Sequence, residues 1–257
     1  PERKGEIIAK LKEVCGKLFT RDNLLVSFTA GEDGFAALDG EVRRFAAALP
    51  AGGERHPFQW VRGNRNEGFK SSSQVNYVAR CGNFREKGFA YTGALRILKV
   101  MLSYDYLWIN LRVKGGAYGC MSGFGRSGEG YLVSYRDPNL RETNSVYEGV
   151  TEYLRNFQAD ERDMTKFVIG TISDLDTPLT PSIRGSRGLS AYLSGVTQEM
   201  MQEERDQVLR ATVEDIRALA DIVQAVLDTG ALCVLGNEEK IEAAKDLFKE
   251  TRNLYQA

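Results

Sequence analysis

The stretch GGAYGCMSGFGRSGEGYLVSY, residues 115–135, decides how this chain is read. It carries a G-x-G-x-x-G string at Gly123, Gly125 and Gly128, the spacing of a phosphate-cradling loop. A dinucleotide loop needs its glycines between a strand and a helix, because the helix N-terminus supplies the positive end that holds a pyrophosphate. Here YLVSY follows, and it reads as a strand. A kinase-type glycine loop does sit in a hairpin, but its downstream lysine strand and its H-R-D and D-F-G motifs are absent. The string is therefore read as a β-hairpin, with one strand through 118–124 and the other through 131–135. Glycine on a strand marks close approach by another backbone or a ligand. Gly119 and Gly123 thus predict a surface along which an extended chain lies.

Immediately upstream, LRVKGGAYG (residues 111–119) places Arg112 at the C-terminal end of a helix and Tyr118 early on the next strand. Gly115 and Gly116 allow the sharp reversal between them. A guanidinium and a phenol brought together across such a turn both donate hydrogen bonds to one carbonyl or oxyanion, and supply neither nucleophile nor base. The same residue types also serve plain structure, since a helix-terminal arginine complements the dipole and a strand tyrosine packs.

Working outward, the segment before this turn, ALRILKVMLSYDYLWINL (94–111), approaches membrane-spanning length. Arg96, Lys99 and Asp105 would each cost about 2.5–3.5 kcal/mol near a bilayer centre, so it is read as a buried helix covered on all sides. Before it, SQVNYVARCG sets Val75, Tyr77, Ala79 and Cys81 in alternation with Gln74, Asn76, Val78 and Arg80, the period of a half-buried strand. After Asp137-Pro138 come helices expected at 142–157, Glu161–Leu175, Pro181–Ser194, 198–210 and Val213–Leu227. Thr212 and Asp215 form a capping-box pattern at the last of these. A strand ALCVLG and a helix over 239–254 close the chain. Near the N-terminus a helix over 6–19, a strand over 23–30 and a helix over 35–49 are expected. PAGGERHP then interrupts both periodicities and reads as a linker. The units beginning LLVSFTAGEDG and ALCVLGNEEK share one plan of strand, acidic loop and helix, as two copies of a domain-closing unit do.

Composition sets limits. The 257 residues are 42% hydrophobic, enough for a sizeable core, and 34 basic against 35 acidic residues leave a net charge of -1. No basic field exists to collect nucleic acid or an anionic membrane. Cys15, Cys81, Cys120 and Cys233 show no C-x-x-C pairing, which favours reduced, structural thiols in a cytosol-like compartment. The single histidine, His56, rules out a two-histidine zinc site built from this sequence.

The run R-V-K-G-G-A-Y-G after a helix rich in Leu, Tyr and Trp resembles the C-terminal half of the pitrilysin (insulinase) family of zinc metallopeptidases, the inverted-zinc-motif enzymes. The spacing from Arg112 to Tyr118, the downstream YLVSYRDPNL and the long helical tail look most like its presequence protease branch. That resemblance implies an α+β fold of the LuxS/processing-peptidase-like metallohydrolase type, a mostly antiparallel sheet with helices on one side. It implies residues 1–52 as the helix-strand-helix tail of a preceding homologous domain, 53–57 as a linker, and 58–257 as a complete C-terminal domain. It further implies Arg112 and Tyr118 as the groups that hold the substrate backbone and stabilise its tetrahedral intermediate, with Gly115, Gly116, Gly119 and Gly123 binding substrate. Zinc and the H-x-x-E-H motif belong to the N-terminal half in such enzymes, so no metal ligand is assigned here and this stretch alone is expected to be inactive. The implied partners are peptide substrates and that zinc-binding half of the same polypeptide, with no nucleic acid and no membrane, in a bacterial cytoplasm or an organelle. An alternative of another class is a non-catalytic interaction subunit of the same fold.

Overall fold

The computed structural model describes residues 3–52, 59, 63 and 65–255; the expected linker at 53–57, with His56, lies outside the described residues. In chain order the elements are α1 (Lys4–Leu18), α2 (Glu32–Ala48), β1 (Asn66–Ser71), β2 (Asn76–Asn83), α3 (Ala94–Met101), β3 (Gly119–Phe124), β4 (Glu129–Asp137), α4 (Arg141–Arg155), α5 (Glu161–Leu175), α6 (Pro181–Ser194), α7 (Gln198–Leu209), α8 (Val213–Leu227), β5 (Ala231–Asn237), α9 (Glu238–Ala243) and β6 (Glu250–Asn253). They fall into two compact units, residues 1–61 with 178–197, and residues 62–177 with 198–257.

The first unit holds α1, α2 and α6. The apolar stripe of α1, Ile7, Leu11, Val14 and Leu18, is exposed, and neither α1 nor α2 buries a residue. The strand expected over 23–30 is not formed. A short 3-10 turn (Arg21–Asn23) leads into a segment without a ladder partner, whose Leu25, Val26 and Phe28 stand exposed. Strand character is conferred by a neighbouring strand, and alternation alone does not supply one. Helix α6 starts with the Thr180 hydroxyl accepting from the Ile183 N–H and Pro181 in the first turn, and it stops at Gly195, which takes a left-handed conformation.

The second unit is built on a six-stranded sheet in the order β3-β4-β2-β5-β1-β6. Strand β1 runs parallel to β5 and to β6, and every other pairing is antiparallel. One face joins the core, where Val78, Leu132 and Val234 belong to the same buried cluster as Leu98 and Met101 of α3, Tyr147 and Val150 of α4, and Ile216 and Val223 of α8. The other face is open. On β2 the inward set is Asn76, Val78 and Arg80, while Tyr77 and Cys81 are exposed, so the strand buries its more polar face. Arg80 is accommodated because its guanidinium donates to Asn144 Oδ1 (2.9 Å), Glu148 Oε1 (3.3 Å) and the Leu227 carbonyl (2.9 Å). Burial of a charge is tolerated when paired in this way.

Two further expectations are corrected. The long helix is continuous in direction but changes pitch, because α3 passes into π-helical segments at Leu102–Tyr106 and Trp108–Lys114. It is covered on one side only, with Leu98, Met101, Leu107 and Leu111 buried and Tyr104, Trp108, Ile109 and Val113 exposed. The closing helix over 239–254 is likewise replaced by the short α9, a 3-10 turn (Lys245–Leu247) and β6. Asn66 holds that corner open to a strand, donating to the Leu247 carbonyl (2.9 Å) and accepting from the Lys249 N–H (3.1 Å). Tertiary pairing with β1 outweighs the helical spacing of the segment.

A buried amide ties the strand ends that carry the site. Asn76 is fully buried, and its Nδ2 donates to the carbonyls of Asp137 (3.0 Å) and Asn139 (3.2 Å) while its Oδ1 accepts from the Asn237 N–H (3.1 Å). Gly236 is required beside it, since a Cβ there would overlap the Asn76 amide. Asn76→Ala leaves these three backbone groups without their partner and lowers the unfolding free energy by about 3 kcal/mol. Urea denaturation followed by circular dichroism measures this, and a loss below about 1 kcal/mol would contradict the assignment.

Candidate functional site

Arg112 stands in the last turn of the π-helical segment and Tyr118 one residue before β3, and the turn between them explains both glycines. The Gly116 N–H donates to the Arg112 carbonyl (3.2 Å) and the Ala117 N–H to the Leu111 carbonyl (2.9 Å). This is a helix stop one residue wider than the usual six-to-one closure, as the π pitch demands. Gly116 has φ +77°, and at Gly115 a Cβ would sit 2.7 Å from the Leu111 carbonyl oxygen. Asn139 Nδ2 donates to the Gly115 carbonyl (2.6 Å), fastening the turn to the end of β4.

The turn brings Arg112 and Tyr118 together. The guanidinium carbon of Arg112 lies 5.4 Å from the Tyr118 ring centroid and 5.4 Å from that of Trp108. Its Nη1 donates to the Ala117 carbonyl (3.0 Å), which fixes one edge of the fork. Tyr118 is 56% exposed and Arg112 is half-buried. Tyr135 meets the Tyr118 ring edge-on at 5.6 Å. The arrangement offers hydrogen-bond donors to an oxygen and contains no nucleophile or general base.

Gly119 and Gly123 face tyrosines. In the β3–β4 register Gly119 pairs with Tyr135 and Gly123 with Tyr131, and a Cβ at either glycine would run into the opposing ring. The glycines let aromatic side chains lie across the hairpin, a pairing that restores the contact area a glycine lacks. The hairpin closes at 125–128, where the Gly128 N–H donates to the Gly125 carbonyl (3.0 Å) and Gly128 has φ +95°. A strand follows, so no helix N-terminus stands behind the string to hold phosphate.

Sequence reasoning missed two members of this cluster. Trp108 lies four residues before Arg112, a spacing that in hindsight puts both on one helix face. Arg136 also reaches Tyr118, its guanidinium carbon 5.4 Å from the ring centroid, and no sequence signal announces it. The Cys120 thiol next to this cluster is pushed up to about 11, first by burial and then by the Asp137 charge, with the Arg112 charge acting in the opposite direction. Among the described residues no group of three or more His, Cys, Asp or Glu side chains is placed to hold a metal ion, and no helix is long and apolar enough to cross a membrane.

A mostly antiparallel sheet with helices on one face is the frame that carries this arginine and tyrosine. Solved structures agree on the fold. A peptidase M16 inactive domain from Pseudomonas fluorescens superposes with a TM-score of 0.61 at 16% identity, over 89% of this chain and 57% of that one. Pitrilysin itself gives 0.52 at 14% identity, over 79% of this chain and 23% of that one. Residues 66–237 match the family described as the PreP C-terminal domain, and the chain belongs to that family. It is 39% identical over 254 residues to "Protein HypA" of Clostridium perfringens, covering 98% of this chain and 26% of that protein. It is 33% identical over 243 residues to presequence protease 1, chloroplastic/mitochondrial, of Arabidopsis thaliana, covering 93% of this chain and 22% of that protein. The chain thus spans about a quarter of the length of these curated relatives.

Two measurements check this geometry. Gly116→Ala forces a left-handed conformation on a residue with a Cβ and costs about 1–2 kcal/mol in a denaturant titration, whereas Gly116→Asn costs less. Alkylation by iodoacetamide at pH 8 is on the order of 10²-fold slower at Cys120 than at a free cysteine, read by mass spectrometry of the digested protein.

Proposed function

We propose that this chain is the C-terminal, substrate-binding part of a zinc-dependent metalloendopeptidase that degrades peptides within a closed chamber. Arg112 and Tyr118 act together as donors to the substrate: the guanidinium grips a backbone carbonyl, and the phenolic hydroxyl gives a second hydrogen bond as charge develops on the oxygen under attack. Donors aimed at that oxygen lower the barrier because they favour the transition state over the ground state. Gly115 and Gly116 serve by shaping the turn, and Gly119 and Gly123 by making room for the Tyr135 and Tyr131 rings on the hairpin that a bound chain meets. The observation that carries this reading is the convergence of the two side chains at one turn, the Arg112 guanidinium carbon 5.4 Å from the Tyr118 ring centroid and Tyr118 exposed.

The residues described here do not fit a zinc site, for they bring no suitable group of ligands together. In this reading the metal and its H-x-x-E-H motif lie in an N-terminal half of the same polypeptide, and no chemical step is assigned to them here. Peptides and that N-terminal half are the partners, and the compartment is a bacterial cytoplasm or an organelle. A second reading, a non-catalytic interaction subunit, draws on one observation: the Arg112 fork is already engaged by the Ala117 carbonyl and by two aromatic rings, as a packing role requires.

The two readings separate on one experiment. In the full-length enzyme Arg112→Ala and Tyr118→Phe each lower kcat by about 10²–10³, the effect of losing one oxyanion donor. Tyr118→Phe keeps the ring and its stacking, so wild-type turnover in that variant would leave packing as the whole role. The purified chain alone cleaves no peptide, and chelator-sensitive cleavage by it would overturn the assignment of zinc to another segment.

A further inference from the structure

Strand β4 contains one extra residue, and the consequence is where Arg136 points. Asn76 of β2 pairs with Asp137 and Val78 with Ser134, so Tyr135 and Arg136 together stand opposite the single residue Tyr77. Up to that point β4 alternates regularly, with Gly130, Leu132 and Ser134 buried; continued, the alternation would turn position 136 into the core. The bulge hands the inward position to Asp137, which is fully buried, and leaves Arg136 exposed.

The backbone is held away from its preferred region to do this. Arg136 has φ +48° and is the one non-glycine residue with positive φ among the described residues. Arginine has no local hydrogen bond with which to favour that conformation, unlike Asn or Asp. Its carbonyl accepts from the Tyr118 N–H (3.3 Å), so the bulge is tied to the residue whose ring the guanidinium covers.

The charge is left without a counter-ion. Arg80, Arg96, Arg126, Arg141, Arg205 and Arg252 each hold a carboxylate. Among the described residues neither Arg112 nor Arg136 is paired with an acidic side chain. The nearest acid in sequence, Asp137, is turned inward and accepts from Thr143 Oγ1 (2.7 Å) and the Asn139 N–H (2.9 Å). Two guanidiniums therefore lie against one phenol ring, and among the described residues neither is matched by an acid, which leaves planar forks with free donors for a carboxylate.

We propose that Arg136 is a specificity-determining, substrate-binding residue that takes a carboxylate of the bound peptide beside the Arg112–Tyr118 pair. This rests on the reading of that pair given above. The carboxylate is either the C-terminus of the peptide or an Asp or Glu side chain.

The test uses the full-length enzyme and three peptides of otherwise common sequence. One has a free C-terminus and no acidic side chain, one has an amidated C-terminus and one internal Glu, and one is amidated with no acid. Arg136→Asn removes the guanidinium but keeps a residue that tolerates left-handed backbone, and Arg136→Lys keeps charge but loses the fork. The expected result is that Arg136→Asn lowers kcat/KM for one of the two carboxylate-bearing peptides about tenfold relative to the neutral peptide, through KM, with Arg136→Lys in between. The peptide affected identifies the source of the carboxylate. A ratio unchanged within about twofold for both, or an equal loss on all three peptides, would overturn the proposal and leave Arg136 as a support for Tyr118. Arg112→Ala and Tyr118→Phe, assayed on the neutral peptide, report separately on the underlying site: full turnover there defeats that reading, whatever the Arg136 ratio shows.

Discussion

The amide of Asn76 is the point through which the rest of the site is held in place. It spans the start of β2, the end of β4 and the end of β5 by three hydrogen bonds made from a fully buried side chain. Because it grips the main chain on both sides of Pro138, it fixes where β4 ends and therefore where the extra residue must be absorbed. From there the chain of contacts runs outward, through Asn139 to the Gly115 carbonyl and through the Arg136 carbonyl to the Tyr118 N–H. Arg112 and Tyr118 thus inherit their positions from a buried group some distance along the chain. Buried polar groups of this kind, when fully satisfied, specify one arrangement over its near neighbours.

The change of pitch after Met101 complements that clasp from the helix side. A π-helical turn carries more residues per turn than an α-helical one, so it rotates later side chains around the axis without a break. Here it leaves Leu107 and Leu111 in the core while Trp108 and Arg112 face outward. The wide stop at Ala117 is the same adjustment seen at the helix end. A helix terminus defined on one side and a bulged strand end defined on the other meet at a single tyrosine.

Much of this was legible in the residues. The helix starts were signalled by side chains that bond their own backbone, as in the reciprocal Thr212–Asp215 box that the structure contains. The hairpin followed from a strand after the glycines, and the Arg112–Tyr118 approach from a helix, two glycines and a strand in succession. What escaped depended on partners distant in sequence. The segment 250–253 becomes a strand because β1 lies beside it, the segment 24–30 does not because no strand among the described residues pairs with it, and Asn76 and Arg80 turn inward because their partners come from residues 137–148, 227 and 237. The bulge at Arg136 is invisible for a different reason. Its left-handed backbone is adopted by a residue type with no preference for it, so no propensity scale points there.

That last feature sets folding stability against a surface charge at one position. A left-handed non-glycine residue costs of order 1–3 kcal/mol, while a folded domain has only about 5–15 kcal/mol in hand. Glycine at position 136 would relieve that cost in one step, and such a substitution lies within easy mutational reach of arginine. The bulge is therefore a place where losing a side chain raises folding stability while it removes the charge that lies over Tyr118.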